Sequence, residues 1–351
     1  MDPTHSPVLQ ALKDADLLKN DLLEEFVQNN LTEELKNLLP SLPKQNGWLI
    51  SDHLYQYQNF WYPAIHLQAL LNVQRNFQAL DTDLVIAANP KCGATWLKAL
   101  SFSIVNRFHF DNPSSKQYHP LLTNNPHILV HFLENFYMID QNPDLTCLSV
   151  NAAARLLATH IPHAALPDSI KDSKCKIVYL CRDPKDTLVS FWYFSNKMRP
   201  KTMEHSSLEE AFEKFCEGVV EFGPFWDHVL GYWKMSLDLE SPERVCFLKY
   251  EEMKKEPKTH LIKLAKFLGS PFSVEEENDG VPEEILKLCS FGNLSNLEVN
   301  KTGKMPIAGY EFSVYFRRGE VGDHVNHLTP EMIERIDKIT QQKFLDSGLK
   351  F

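Results

Sequence analysis

The chain has no framework built on metal or disulfide ligands. Its seven cysteines, Cys92, Cys147, Cys175, Cys181, Cys216, Cys246 and Cys289, are odd in number, scattered, and never in C-x-x-C spacing. That pattern excludes a zinc ribbon and a disulfide scaffold, and it predicts free thiols in a reducing compartment. No apolar run reaches the roughly 18 residues of a membrane span. The opening residues, MDPTHSPVLQ, lack the basic–apolar–small order of a signal peptide. A cytoplasmic protein with no membrane partner is therefore expected. Acidic residues outnumber basic ones, 46 to 36, for a net charge of −10. No basic stripe offsets this, so nucleic acid is not an expected partner. A small anionic ligand stays possible, because a few local arginines and a helix terminus govern such a site. There are no internal repeats or low-complexity linkers.

The remaining sequence reads as an ordinary folded chain, ample for a sizeable core. Residues 1–45 are predicted to form a helical N-terminal extension. Leu18, Leu22, Leu23 and Phe26 fall at helical spacing, as do Leu35, Leu38 and Leu39. Asn46-Gly47 marks a turn. Residues 46–351 are predicted to form one α/β domain, in which apolar strands alternate with helical stretches around a mostly parallel sheet. Strands are expected at Leu84–Ala88, around Thr159, at Lys176–Cys181 and at Val245–Leu248. Helices are expected at Leu208–Val220, Phe225–Lys234, Thr259–Leu268 and Pro330–Phe344. The aromatic stretch Leu54–Tyr62 reads as a cleft lining or as a core strand. The acidic run Glu275–Asn278 reads as a solvated loop.

Three segments carry chemistry. In LVIAANPKCGATWLKAL, a short apolar strand turns at Asn89-Pro90 into a helix start. A helix N-terminus offers unpaired N–H groups and partial positive charge. Lys91 adds a full charge, Gly93 admits close backbone approach, and Thr95 offers a hydroxyl. A phosphate or sulfate fits there. The order differs from G-x-x-x-x-G-K-[ST], since the lysine precedes the glycine. A plain strand–turn–helix with a surface lysine would read the same way. In KIVYLCRDPKDTLVS, Asp183 is an N-cap and Pro184 opens a helix. Arg182 then stands at a strand's carboxyl end, where open α/β sheets bind ligands, and Ser190 follows about two turns on. A surface pairing of Arg182 with Asp183 or Asp186 is the alternative. In FRRGEVGD, Arg317 and Arg318 suit phosphate oxygens, and Gly319 and Gly322 suit a closing loop. A basic surface loop is the alternative there.

Taken together and in order, these segments resemble the cytosolic sulfotransferase family, in particular its plant branch. PKCGATWLKAL resembles the 5'-phosphosulfate loop, YLCRDPKDTLVSFWYF the 3'-phosphate segment, and FRRGEVGDHVNHLTPEM the C-terminal region. The similarity runs from about Trp48 to Phe351. It implies a P-loop-like strand–loop–helix and transfer of a sulfuryl group from 3'-phosphoadenosine 5'-phosphosulfate to a hydroxyl of a small hydrophobic acceptor. Flavonoids, steroids and hydroxyjasmonates are such acceptors. It implies His160, in Thr159-His160-Ile161-Pro162, as the base, with His163 uninvolved. An imidazole titrates near the operating pH and can take the acceptor's proton. Lys91 is implied as a second catalytic group. Cofactor contacts are implied for Lys91, Cys92, Gly93, Ala94, Thr95, Trp96, Arg182, Ser190, Tyr250, Phe291, Arg317, Arg318 and Gly319, with Trp96, Phe291 and Tyr250 at the adenine. No metal is expected. Acceptor walls are expected from Leu54–Tyr62 and Pro120–Met138.

The loop departs from the family's K-S-G-T-T-W at Cys92 and Ala94. Ala94 removes one hydroxyl donor, a loss of about 1 kcal/mol in cofactor binding. The family's animal dimerisation motif is not kept at Val325, Thr329, Pro330 and Glu334, so a monomer or weak homodimer is expected. Two other readings are an ATP-dependent kinase-like enzyme and a cofactor-binding protein without turnover. The lysine–glycine order and the distal arginines count against the first. Intact Lys91, Thr95, His160, Arg182 and Ser190 count against the second.

Overall fold

The computed structural model describes residues 31–48, 53–110, 119–145, 148–151, 154–199, 204–239, 243–305 and 309–351. The periodic leucines at 18–23 lie outside them. A sheet of five strands runs in the order β5-β6-β4-β7-β8, with β4 Leu84–Ala88, β5 Ser149–Asn151, β6 Ala154–Thr159, β7 Lys176–Cys181 and β8 Val245–Lys249. Strands β6, β4, β7 and β8 are parallel, and β5 joins β6 antiparallel. All five residues of β4 are buried, as its unbroken apolar run requires for a strand covered on both faces. Its register sets Ala87 beside Thr159 and Ala88 beside Leu180. The carboxyl ends of the four parallel strands therefore open on one edge.

Helices cover the sheet. The first after β4 runs Ala94–Phe110, and Pro184–Met198 follows β7. In the latter Asp183 caps the Lys185 and Asp186 N–H groups, as its sequence signature predicts. Pro330–Phe344 is a helix with Thr329 as its cap. Phe225–Ser236 and Pro257–Phe267 match the expected helices to within two residues.

Other expectations need correction. The helix from Leu208 ends at Cys216, short of Val220. Gly218 takes φ +80°, and its N–H donates to the Phe215 carbonyl, closing the helix in the left-handed turn that glycine permits. Glu275–Asn278 belongs to a short helix with a Ser273/Glu276 capping box, and Glu276 pairs with buried Arg107 at 2.6 Å. Leu54–Tyr62 is not one strand, and of its residues Tyr55 reaches a cavity wall while Leu54, Trp61 and Tyr62 fill the core. It forms β2 His53–Tyr57 and β3 Phe60–Tyr62, turned by Gln58 and Asn59 at positive φ. Leu54 and Trp61 pack with Val219, and Tyr62 is fully buried. β1 Lys44–Asn46 pairs with β2, so Lys44 and Gln45 already belong to this small antiparallel sheet. The helix Glu33–Leu38 buries Leu35 in the main core.

Candidate active site

Four candidate side chains follow the four parallel strands. Lys91 comes after β4, His160 after β6, Arg182 after β7 and Tyr250 after β8. All four line one cavity of about 840 Å³. Ala94, Thr95, Trp96, Gly93, Ser190, Phe291, Arg317, Arg318 and Gly319 line it too. Sequence reasoning thus named most of one wall.

The loop after β4 is bent for close approach. Lys91 sits at φ +69° and Gly93 at φ +103°. A Cβ on Gly93 would meet the Tyr250 ring at 2.8 Å. The helix's first bonds run from the Trp96 and Leu97 N–H groups to the Gly93 carbonyl. Earlier amides are first-turn donors that the helix itself cannot satisfy. Cys92 is turned the other way: it is fully buried with Sγ 3.7 Å from Thr187 Oγ1, and burial pushes its thiol up to about 12. Its side chain is packing, and only its backbone belongs to the loop.

Lys91 is crowded by its own sign. Burial first, then the charges of Arg182, Arg317 and Lys197, push its amine down to about 7. Its Nζ rests 3.8 Å over the Phe194 ring. A buried site that depresses a lysine with neighbouring cations is one that an anion would relieve.

The distal arginines are held by carboxylates absent from the expected site. Arg182 bonds Asp186 at 3.2 Å and the Glu320 carbonyl at 2.7 Å. Asp186 also accepts from the N–H groups of Gly322, at 2.8 Å, and His324, at 3.0 Å. Against its burial, the His324 ring bond at 3.0 Å first, then the Arg182 charge and these N–H groups, hold its carboxyl well below the usual range. Asp323 pairs with Arg317, and with Arg318 at 2.9 Å. The pairing of Arg182 with Asp186 is real, but it is buried and bears on the cavity rather than the surface. Tyr250 joins all three segments. Its hydroxyl donates to the Gly319 carbonyl at 3.0 Å, its ring meets Trp96 edge-on at 5.8 Å, and Arg182 lies 4.7 Å over it. A Cβ on Gly319 would strike Phe291 at 2.5 Å.

His160 is pinned by its backbone and by one nitrogen. Its N–H donates to Glu134 Oε1 at 2.5 Å, and the Thr159 hydroxyl donates to the same oxygen at 3.1 Å. His228 Nε2 donates to the His160 carbonyl at 2.9 Å. Nδ1 lies 2.6 Å from the Ala88 carbonyl, which can only accept. Nδ1 therefore carries the proton, and Nε2 keeps a lone pair. Burial drives the imidazole well below its ordinary pKa, so it is neutral at pH 7. This is a ring ready to accept a proton. His163 is outside the cavity, edge-on to Tyr232.

The opposite wall was anticipated only in part. Tyr55, His66, Phe132, Glu134, Met138, Glu221, Phe222 and Tyr310 line it. Tyr55 falls in the expected stretch Leu54–Tyr62, and Phe132, Glu134 and Met138 fall in Pro120–Met138; His66, Glu221, Phe222 and Tyr310 carry no motif. His66 pairs with Glu221 there. Among the described residues no cluster of metal-ligating side chains occurs, and no helix is long and apolar enough to cross a membrane.

The model of the sulfotransferase domain matches residues 81–348. Cytosolic sulfotransferase 5 of Arabidopsis thaliana is 50% identical over 323 residues, covering 92% of this chain and 98% of that one. Among solved structures, an Arabidopsis thaliana sulphotransferase aligns with TM-score 0.71 at 40% identity, over 92% of this chain and 97% of its own. Mouse sulfotransferase SULT7A1 complexed with PAP aligns with TM-score 0.61 at 25% identity, over 84% and 95%. The chain belongs to the sulfotransferase family, and it is a sulfotransferase of the cytosolic plant type.

Proposed function

We propose that this protein transfers the sulfuryl group of 3'-phosphoadenosine 5'-phosphosulfate to a hydroxyl of a small hydrophobic acceptor, with His160 as the base. The observation that carries the reading is the convergence on one cavity of a cation cluster and a neutral, single-tautomer imidazole. The backbones at Gly93 and Gly319 press so closely on the Tyr250 and Phe291 rings that a Cβ would collide with them, which supports the placing of these two rings against the loops that hold the nucleotide. When bound, the nucleotide supplies the group to be transferred. Lys91 and the first-turn amides neutralise charge at the phosphosulfate end, the kind of stabilisation that grows in the transition state. Thr95 adds a hydroxyl donor. Arg182, Ser190 and the Arg317–Gly319 segment hold the 3'-phosphate, and Trp96, Tyr250 and Phe291 bound the adenine. Nε2 of His160 takes the acceptor's proton as its oxygen attacks.

The acceptor side is apolar where Phe132, Met138 and Phe222 meet. That supports a flat, hydrophobic, hydroxylated molecule such as a flavonoid, steroid or hydroxyjasmonate. The enzyme works in the cytoplasm, as a monomer or weak homodimer, without a metal. Labelled 3'-phosphoadenosine 5'-phosphosulfate, offered with a panel of those acceptors, should yield labelled sulfate esters. Adenosine 3',5'-bisphosphate should raise the melting temperature where ATP does not. Stabilisation by ATP alone would overturn the reading in favour of a kinase-like enzyme. Stabilisation by the bisphosphate with no product from any acceptor would favour a binding protein without turnover.

A further inference from the structure

Behind the phosphosulfate loop lie two titratable groups that the reaction described above does not use. Lys98 is fully buried on the helix Ala94–Phe110, three residues after Thr95 and so on the same face. Its Nζ is 3.2 Å from His127 Nδ1 and 3.2 Å from the centre of the Phe132 ring. His127 Nε2 is 2.9 Å from Thr95 Oγ1. The histidine is clamped. Its ring stacks on Tyr315 at 4.2 Å, its backbone N–H donates to Asn125 Oδ1 at 2.9 Å, and Asn125 Nδ2 donates to Asn300 Oδ1 at 2.7 Å. A lysine and a histidine enclosed together are costly to bury, and neither has a carboxylate as a direct hydrogen-bond partner.

The order of donors along this chain has one useful solution. Burial, followed by the charges of Lys98 and Lys91, keeps His127 neutral. A neutral imidazole has one donor and one acceptor nitrogen. An amine carries N–H donors in either protonation state, so Lys98 can always donate to Nδ1. The ring proton then sits on Nε2 and is donated to Thr95 Oγ1. With that lone pair filled, the threonine's own hydrogen is free to point into the anion loop. The opposite tautomer would take the threonine's hydrogen for Nε2 and turn a lone pair toward an incoming anion. Ala94 has no hydroxyl, so the direction of the Thr95 hydroxyl bears directly on how many donors the loop presents.

We propose that Lys98 and His127 form a buried relay that orients the Thr95 hydroxyl as a donor toward the transferring group. Both are positioning residues, and the inference rests on the sulfuryl-transfer reading of this loop. Lys98→Met keeps the length of the side chain and removes the donor. It should lower kcat about tenfold, as should Thr95→Val. In the double variant the second change should cost less than about twofold, because both act through one hydroxyl. Independent, multiplying losses would overturn the relay. Nitrogen-15 spectra of histidine-labelled wild-type protein provide a second measurement, with the His127 signals assigned by their shift in Thr95→Val. The Nε2–H tautomer is expected, and the Nδ1–H tautomer would overturn the proposal even if Lys98→Met does not fold. If instead the sulfotransferase reading fails, the wild type will neither bind adenosine 3',5'-bisphosphate nor turn over, while the tautomer can still be read.

Discussion

The two ends of the cavity are built by different rules. At the proposed nucleotide end the charged groups and Tyr250 come straight off parallel strands or are tied down by carboxylates. Lys91 follows β4, Arg182 follows β7, Tyr250 follows β8, and Asp186 and Asp323 hold the C-terminal loop against them. At the acceptor end, Tyr55 comes from the small hairpin, Phe132 and Met138 from the segment before β5, Phe222 from a turn, and Tyr310 from near the C-terminus. Charge recognition needs a few donors at fixed points, so it relies on rigid strand ends and short motifs. Apolar recognition needs volume and shape, which many unrelated segments can supply.

The sharpest way to break this comparison is at the junction of the two ends. His160→Ala should cut transfer by about 100-fold or more. Binding of adenosine 3',5'-bisphosphate should stay nearly unchanged, because the ring faces the acceptor side between Phe132 and Phe222. His163→Ala is the control and should keep wild-type turnover. Most turnover retained by His160→Ala would remove the base assignment.

A smaller loss isolates the nucleotide end. Arg182→Ala should weaken binding of adenosine 3',5'-bisphosphate by roughly 1.5–3 kcal/mol, the value of a charge-assisted bond. Adenosine 5'-phosphate should lose little by calorimetry. Equal losses for the two would mean that Arg182 serves mainly to hold Asp186 and the Glu320 carbonyl.

The pH dependence follows from Lys91, whose amine is held down to about 7 in the ligand-free protein. Its charge is present below that pH and is lost above it. A bound anion favours the protonated form, so affinity for adenosine 3',5'-bisphosphate should fall as pH rises past 7. The slope should approach about tenfold per pH unit. Lys91→Met should bind more weakly throughout and show no such slope. A wild-type affinity flat from neutral to alkaline pH would show that the backbone amides dominate the loop.

The smallest effect belongs to the acceptor end. Met138→Ala should raise the KM for a bulky acceptor by about fivefold, from lost apolar contact. The affinity for adenosine 3',5'-bisphosphate should not move. A change in nucleotide affinity instead would show that the two ends are mechanically coupled.

The proposed nucleotide end could be read as a candidate because its motifs are local. Strand–turn–helix order, an Asp-Pro helix start and paired arginines each lie within a dozen residues, and β4, β7 and the helix after Asp183 fall where expected. The aromatics of Leu54–Tyr62 misled because density in sequence says nothing about facing. Alternate residues of a hairpin point to opposite sides, so Leu54 went to a core cluster while Tyr55 reached the cavity. Glu134 and His127 lie within the expected stretch Pro120–Met138 and Lys98 within PKCGATWLKAL, yet no motif singled any of them out. A lone glutamate, histidine or lysine in a mixed stretch reads as surface.

The sequence by itself determined the class of fold and pointed to Lys91–Thr95 as a candidate anion loop, because periodicity, caps and short motifs are properties of neighbouring residues; the family resemblance added His160 as the candidate base. Only the tertiary structure decided which nitrogen of His160 holds the proton, how far Lys91 is pushed from its ordinary charge, and that Lys98 reaches Thr95 through His127. Those depend on the Ala88 carbonyl, on Arg182 and Arg317, and on burial. Such groups are brought together only when strands distant in sequence end side by side, and electrostatics depends on that distance in space rather than on separation along the chain.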